Sequence, residues 1–383
     1  MQTAKRLEGI GEYYFSQKLR EIDVLNKQGK QIINLGIGSP DLPPHPSVIE
    51  TLHQESLKPN QHGYQSYKGS PVLRKAISAF YQKWYAVSLD ADSEVLPLIG
   101  SKEGIMHICM TYLNEGDIAL IPNPGYPTYR SAVTLAGGTC MDYDLTEDND
   151  WMPDFDALEK LDLSRVKLMW INYPHMPTGK SPGSVLFDRL IAFGKKHEVL
   201  ICHDNPYSFI LNDKPTSLLS AEGAMDIALE LNSLSKSGNM AGWRVGWIAG
   251  SAQRVEEILR FKSNMDSGMF LPIQLAAAKA LELGEEWYGS LNDIYTERRK
   301  LVFNILESLG CMIDYTQTGL FVWAKVSSTH TDGYALSDEV LYNKHIFITP
   351  GGIFGSNGQS YVRISLCQPV AVLQKALDII KAG

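Results

Sequence analysis

The chain has 383 residues, 44% hydrophobic and 20% charged, with a formal net charge of -8; that is more chain than one core usually holds, so two domains are expected. The acidic balance, without any basic run, excludes an electrostatic binder of nucleic acid or of an anionic membrane. The five cysteines are scattered, odd in number and form no CxxC pair, so neither a disulfide framework nor a metal site is expected. Residues 1–7 are charged and lack the apolar core of a signal segment. No apolar stretch approaches the roughly 18–20 residues that span a bilayer, and the cytoplasm is the expected location. Further on, short Val-, Ile- and Leu-rich runs bounded by Gly, Pro, Asn or Asp predict strands at 95–99, 118–121, 166–171, 199–202, 227–231 and 245–249. Helical patterns at 104–113 and 185–196 lie between them. Such alternation predicts an α/β fold with a mostly parallel sheet covered on both faces. After about Leu281 the pattern changes to a long charged helix (285–309), strands at 319–326, 346–348 and 361–366, and a last helix at 371–381. This predicts a large domain over 46–281 and a smaller α+β domain formed by 1–45 and 282–383.

In open α/β sheets ligands sit at the carboxyl ends of the strands, so the residues just after each run are the place to look. Lys236, in the segment Ser233-Leu-Ser235-Lys236, follows the run 227–231. A lone loop lysine is ordinarily solvent-exposed. This one keeps company with the hydroxyls of Ser233 and Ser235 and the guanidinium of Arg244, donors suited to a phosphate. A lysine beside a phosphate site can form an imine with a phosphate-bearing aldehyde. Gly100-Ser101-Lys102 precedes a helix, where it either offers free N–H groups to an anion or ends in a simple Ser101 cap. Asp204, at the end of a buried run, either ends a strand in a capped turn or pairs with a protonated ring nitrogen. Tyr207 follows it, placed to donate to a ring oxygen. Tyr126, in a Pro-rich turn, either stacks on a planar ligand or fills the core. Arg363 interrupts an apolar strand pattern, which calls for an anionic partner, whether a ligand or a carboxylate of the chain.

Together these motifs resemble the fold-type I pyridoxal-phosphate enzymes, specifically the class I/II aminotransferases. The resemblance runs from Leu35-Gly-Ile-Gly38-Ser-Pro-Asp41 to Arg363-Ile-Ser365. It implies a large domain with a seven-stranded type of sheet between helices, the cofactor pyridoxal 5'-phosphate, and transfer of an amino group from an L-amino acid to a 2-oxo acid by a ping-pong course. It implies that Lys236 carries the cofactor and shuttles the proton, that Asp204 pairs with the ring nitrogen and Tyr207 with the ring oxygen, and that Ser101, Lys102, Ser233, Ser235 and Arg244 hold the phosphate. Tyr126 would stack on the ring, and Arg363 with the Gly38 backbone would take the substrate α-carboxylate. Tyr64 matches a tyrosine that reaches the phosphate of a neighbouring subunit, which implies a homodimer with shared active sites. The segment 263–270 resembles that of LL-diaminopimelate and alanine/aspartate aminotransferases, near the substrate side chain. Tyr13, Tyr14 and Phe15 are expected either to cover the pocket or to staple the N-terminal segment to the large domain, the latter being preferred.

One position departs from the family. His175-Met176-Pro177-Thr178-Gly179 places a thioether where an asparagine usually donates to the ring oxygen, and a thioether cannot donate. That oxygen would rely on Tyr207, with His175 or a water as a further candidate, and the lysine–cofactor linkage is expected to titrate at an altered pH. Two other functions remain on the sequence: a lyase or synthase using the same cofactor, and a non-catalytic cofactor-binding sensor. The sensor would require an added DNA-binding segment. An ordinary nucleotide-binding fold is disfavoured by the lack of a GxGxxG or GxxxxGK[ST] turn.

Overall fold

The computed structural model describes residues 2–8, 10–12 and 14–382. After helix Tyr14–Lys27 comes the short strand β1 (Ile33–Asn34). The central sheet follows, from β2 (Val95–Leu98), β3 (Ile118–Asn123), β4 (Thr139–Asp144), β5 (Val166–Ile171), β6 (Leu200–Asp204), β7 (Ala228–Ser233) and β8 (Gly246–Gly250). Their spatial order is β2-β8-β7-β6-β5-β3-β4. β8 runs antiparallel to both neighbours, and the other pairs are parallel, in keeping with the expected α/β class. β6 and β7 lie wholly inside, buried on both faces; their apolar halves, Leu200–Cys202 and Ala228–Leu229, give way to polar residues toward the carboxyl ends. β2 occupies an edge and pairs only with β8, a place where the missing N–H of Pro97 costs no ladder bond.

The sequence pattern gave no sign of β4. It forms the opposite edge, and only Tyr143 of Thr139–Asp144 is buried. The strand expected at 227–231 starts one residue later and runs on to Ser233, because Ala224–Ile227 is a helical turn.

β9 (Met312–Ile313), β10 (Phe321–Lys325), β11 (Ile346–Phe347), β12 (Thr349–Pro350) and β13 (Tyr361–Ser365) complete the strands. A four-stranded antiparallel sheet has the order β12-β13-β10-β9. The strand expected at 346–348 is realised as β11 alone, which pairs with β1 in parallel, and β12, just beyond the expected run, joins the other sheet. Helices Glu285–Ser308 and Val370–Lys381 pack together behind this layer. Arg298, buried on the long helix, grips Asp41 with both Nη atoms at 2.6 and 2.8 Å. Such a bidentate pair fixes orientation as well as distance. Among the described residues no helix is long and apolar enough to cross a membrane.

Candidate active site

A cavity of about 570 Å³ opens at the carboxyl ends of the strands, where a sheet of this kind places its ligands. Its wall includes every site residue expected from sequence except Tyr64. Tyr64 is 96% exposed and does not line the cavity of its own chain.

One end is built for an anion. Ser101 opens helix Ser101–Tyr112, so unpaired backbone N–H groups face the cavity. Gly100 precedes it with φ +87°, and a Cβ there would lie 2.1 Å from Arg244 Nη2. Glycine thus serves twice, adopting the turn and admitting the guanidinium. Arg244 has a left-handed backbone (φ 56°) and donates from Nη1 to the Ala241 carbonyl at 2.9 Å. Burial, with help from the Arg244 charge, holds the Lys102 ammonium below its ordinary pKa. Two cations crowded beside a helix N-terminus are relieved by an anion. Ser233, buried at the end of β7, accepts the Ser235 N–H at 2.9 Å.

At the centre, Lys236 Nζ donates to the Gly38 carbonyl at 2.6 Å. Burial is the main reason its pKa falls below the usual lysine range, and the guanidinium groups of Arg363 and Arg244 lower it further. Asp204 ends β6 and is 6% exposed. Its Oδ2 accepts the Tyr129 hydroxyl at 2.9 Å, whereas Oδ1 is buried without a hydrogen-bond partner among the described residues. Burial lifts this carboxyl from 3.8 to about 6, against the lowering effects of Tyr129, His203 and Lys236.

Two residues with no sequence signal of their role support Asp204. Tyr129 stacks on Trp170 at 5.1 Å and 7°, which aims its hydroxyl. Asn172 donates from Nδ2 to the Asp204 carbonyl at 2.5 Å and accepts the Met176 N–H at 2.7 Å. Tyr129 stood three residues after Tyr126 in the same motif, but a buried tyrosine by itself carries no signal of its partner. Tyr126 meets Tyr129 edge-on at 5.6 Å. Tyr207 is nearly buried beside Phe321, and burial raises its phenol pKa far above normal.

At the other end, Arg363 lies on β13, opposite Trp323 of β10. Its guanidinium carbon sits 3.8 Å from the Phe321 ring centre, 4.7 Å from Phe354 and 5.6 Å from Phe15. Nη2 donates to the Gly36 carbonyl at 2.9 Å, and Nη1 reaches Met176 Sδ at 3.2 Å. Met176 therefore touches the arginine that should receive a carboxylate. His175 is not the substitute donor to a ring oxygen. It is buried outside the cavity wall, with Nδ1 2.8 Å from Thr178 Oγ1, and burial lowers its pKa to about 3. Of the aromatic trio near the N-terminus, Phe15 lines the cavity instead of serving only as a staple. Tyr13 lies outside the described residues.

A planar aldehyde with a ring nitrogen at one edge and a phosphate at the other fits this arrangement. The buried, partnerless Asp204 Oδ1 answers a protonated nitrogen, and the Ser101–Arg244 cradle answers the phosphate. The fold and the donor set define a fold-type I pyridoxal-phosphate enzyme.

The family model "Aminotransferase class I and II" matches residues 30–380. An LL-diaminopimelate aminotransferase of Dehalococcoides mccartyi is 40% identical over 379 residues, 98% of this chain and 97% of the relative. Another, of Natranaerobius thermophilus, is 38% identical over 99% of this chain and 98% of the relative. The solved structure of BacF from Bacillus subtilis superposes with a TM-score of 0.95 at 36% identity, covering 100% of this chain and 98% of that one. The chain belongs to the class I and II aminotransferases, and it is an enzyme that transfers amino groups with pyridoxal 5'-phosphate.

Proposed function

We propose that the chain moves an amino group from an L-amino acid to a 2-oxo acid at the cavity described, with Lys236 as the catalytic residue. The observation that carries this is the placing of Lys236, the partnerless Asp204 Oδ1 and Arg363 on one cavity wall. Pyridoxal phosphate, when bound, supplies an aldehyde for the amine and a protonated ring that accepts negative charge from the α-carbon. Asp204 keeps the ring nitrogen protonated, and Tyr129 holds Asp204 in place. Tyr207 donates to the ring oxygen. Tyr126 stacks against the ring. Ser101, Lys102, Ser233, Ser235 and Arg244 hold the phosphate. Arg363 and the Gly38 backbone orient the α-carboxylate. Lys236, its pKa lowered by burial, would take the α-proton at Nζ and give it up again on the far side of the amino nitrogen. The first 2-oxo acid then leaves and a second enters. The fold is read as a large domain over 46–281 and a smaller one over 1–45 and 282–383.

The names carried by the curated relatives support LL-diaminopimelate as donor. A second reading, a donor with an apolar side chain, is favoured by the rings of Phe15, Phe321 and Phe354 around Arg363. The exposure of Tyr64 favours a homodimer in which it reaches the partner's phosphate site, and the acidic chain is placed in the cytoplasm. Lys236→Ala should abolish turnover and leave the cofactor bound without a covalent link; near-normal activity would refute the assignment. With amino acid alone, the enzyme should stop after half a reaction, whereas a lyase would turn over. A donor panel with 2-oxoglutarate or pyruvate as acceptor separates the two side-chain readings.

A further inference from the structure

Behind the anion cradle, outside the cavity wall, lies a polar cluster that the transamination chemistry does not use. Helix Ser101–Tyr112 presents Glu103 and His107 four residues apart, on one face. Asp266 approaches from the segment after helix Ala252–Lys262. One ligand atom from each of the three lies within 4.8 Å of the other two.

The bonding within the cluster is incomplete in a specific way. His107 is 1% exposed, and neither ring nitrogen has a hydrogen-bond partner among the described residues. Its Nε2 is 3.7 Å from Glu103 Oε1, too far for a hydrogen bond. Asp266 Oδ1 is satisfied by Lys262 Nζ at 2.7 Å and the Gly268 N–H at 2.9 Å, but its Oδ2 is buried without a partner. A buried imidazole and a buried carboxylate oxygen are rarely left so. Two lone-pair donors facing one space call for a group that accepts electron pairs.

We propose that Glu103, His107 and Asp266 bind a first-row divalent cation of the zinc type. The imidazole nitrogen disfavours calcium and magnesium, which take oxygen ligands. Two carboxylates, the Lys262 ammonium and a neutral imidazole leave one negative charge, which a divalent cation offsets. Four-coordinate zinc, with bonds of ~2.0–2.2 Å, sets its ligands some 3.3–3.6 Å apart. The widest pair must therefore close by roughly an ångström, within the swing of a carboxylate torsion. Three protein ligands leave a fourth position for water. Glu103 Oε1 also accepts the Ile99 N–H at 2.7 Å, just before the turn that presents Ser101. The cation thus ties the phosphate turn to the 263–270 segment, a structural role at a distance from the reacting atoms.

The test uses cofactor-loaded enzyme, treated with EDTA and returned to chelator-free buffer. Zinc is titrated calorimetrically and retained metal counted by mass spectrometry, with Co2+ as a spectroscopic substitute. One equivalent per chain is expected. At a hundredfold excess over Kd, Tm should rise by about 3 °C. His107→Gln and Asp266→Asn should each weaken binding at least tenfold and remove that rise. Circular dichroism and cofactor absorbance establish that each variant is folded, and Asp266→Asn, on a partly exposed segment, guards against loss of the buried-site variant. Absence of stoichiometric zinc binding, equal binding by all three proteins, or magnesium binding as tightly as zinc would each overturn the proposal.

Discussion

Asp204→Asn should stabilise the cofactor-stripped protein at neutral pH while weakening the loaded one. Burial raises the Asp204 carboxyl from 3.8 to about 6. The folded chain then holds this proton more tightly than the unfolded chain does. Below pH 3.8 both states are protonated and the group contributes nothing. As pH rises toward 6 the unfolded chain ionises first, so folding loses stability across that window. Above it the loss levels off at about 3 kcal/mol. The side chain is only 6% exposed, so little solvent screening reduces this figure. At ~2.1 cal/mol/K per residue, 383 residues convert it to a Tm difference of about 4 °C. Differential scanning calorimetry of the stripped proteins should show the asparagine variant higher by that amount at pH 7.5, with the gap closing at pH 4. With cofactor bound the order should invert, because a charged ring nitrogen loses its counter-ion. A Tm gap independent of pH would refute the electrostatic argument and leave only a packing effect.

Tyr129→Phe removes the one hydrogen bond to Asp204 Oδ2, which should move the carboxyl further up and shift the acid limb of the kcat profile to higher pH; an unmoved limb counts against it. Gly100→Ala places a Cβ 2.1 Å from Arg244 Nη2 in a backbone that favours glycine. Losing that charged contact should cost ~1.5–3 kcal/mol, or about 10–100-fold in cofactor affinity, read by absorbance titration. Arg363→Lys keeps the charge and loses the fork. KM for the donor should rise about 10–100-fold with a smaller change in kcat. Met176→Asn restores an amide donor beside Arg363, and the visible absorbance of the bound cofactor should titrate at a different pH; superimposable curves would end that idea.

The central strands were legible because burial on both faces writes an apolar run: β5 falls on the residues expected. β4 was not legible, since an edge strand with one buried residue has little to write. That β11 ends at Phe347 and β12 begins at Thr349 in a different sheet depends on which partner each meets, and local sequence does not encode that. Lys236, Asp204, Arg244 and Arg363 stood out because a charge or polar turn at the end of an apolar run needs a reason. Tyr129 and Asn172 are residue types that often fill such positions, so their link to Asp204 appears only in three dimensions. Likewise, nothing in either segment announces the contact of Met176 with Arg363, 187 positions apart.

The antiparallel insertion of β8 has a consequence for assembly. Ser101 follows β2, which touches the rest of the sheet only through β8, the last of the seven strands along the chain. During synthesis Ser101 and Lys102 therefore exist for about 145 positions before the strand that joins them to Ser233, Ser235 and Arg244 has been made. The two halves of the phosphate grip are joined only by Gly246–Gly250, which lies between β2 and β7. A chain halted short of that strand lacks the sheet contact that holds Ser101 beside Arg244.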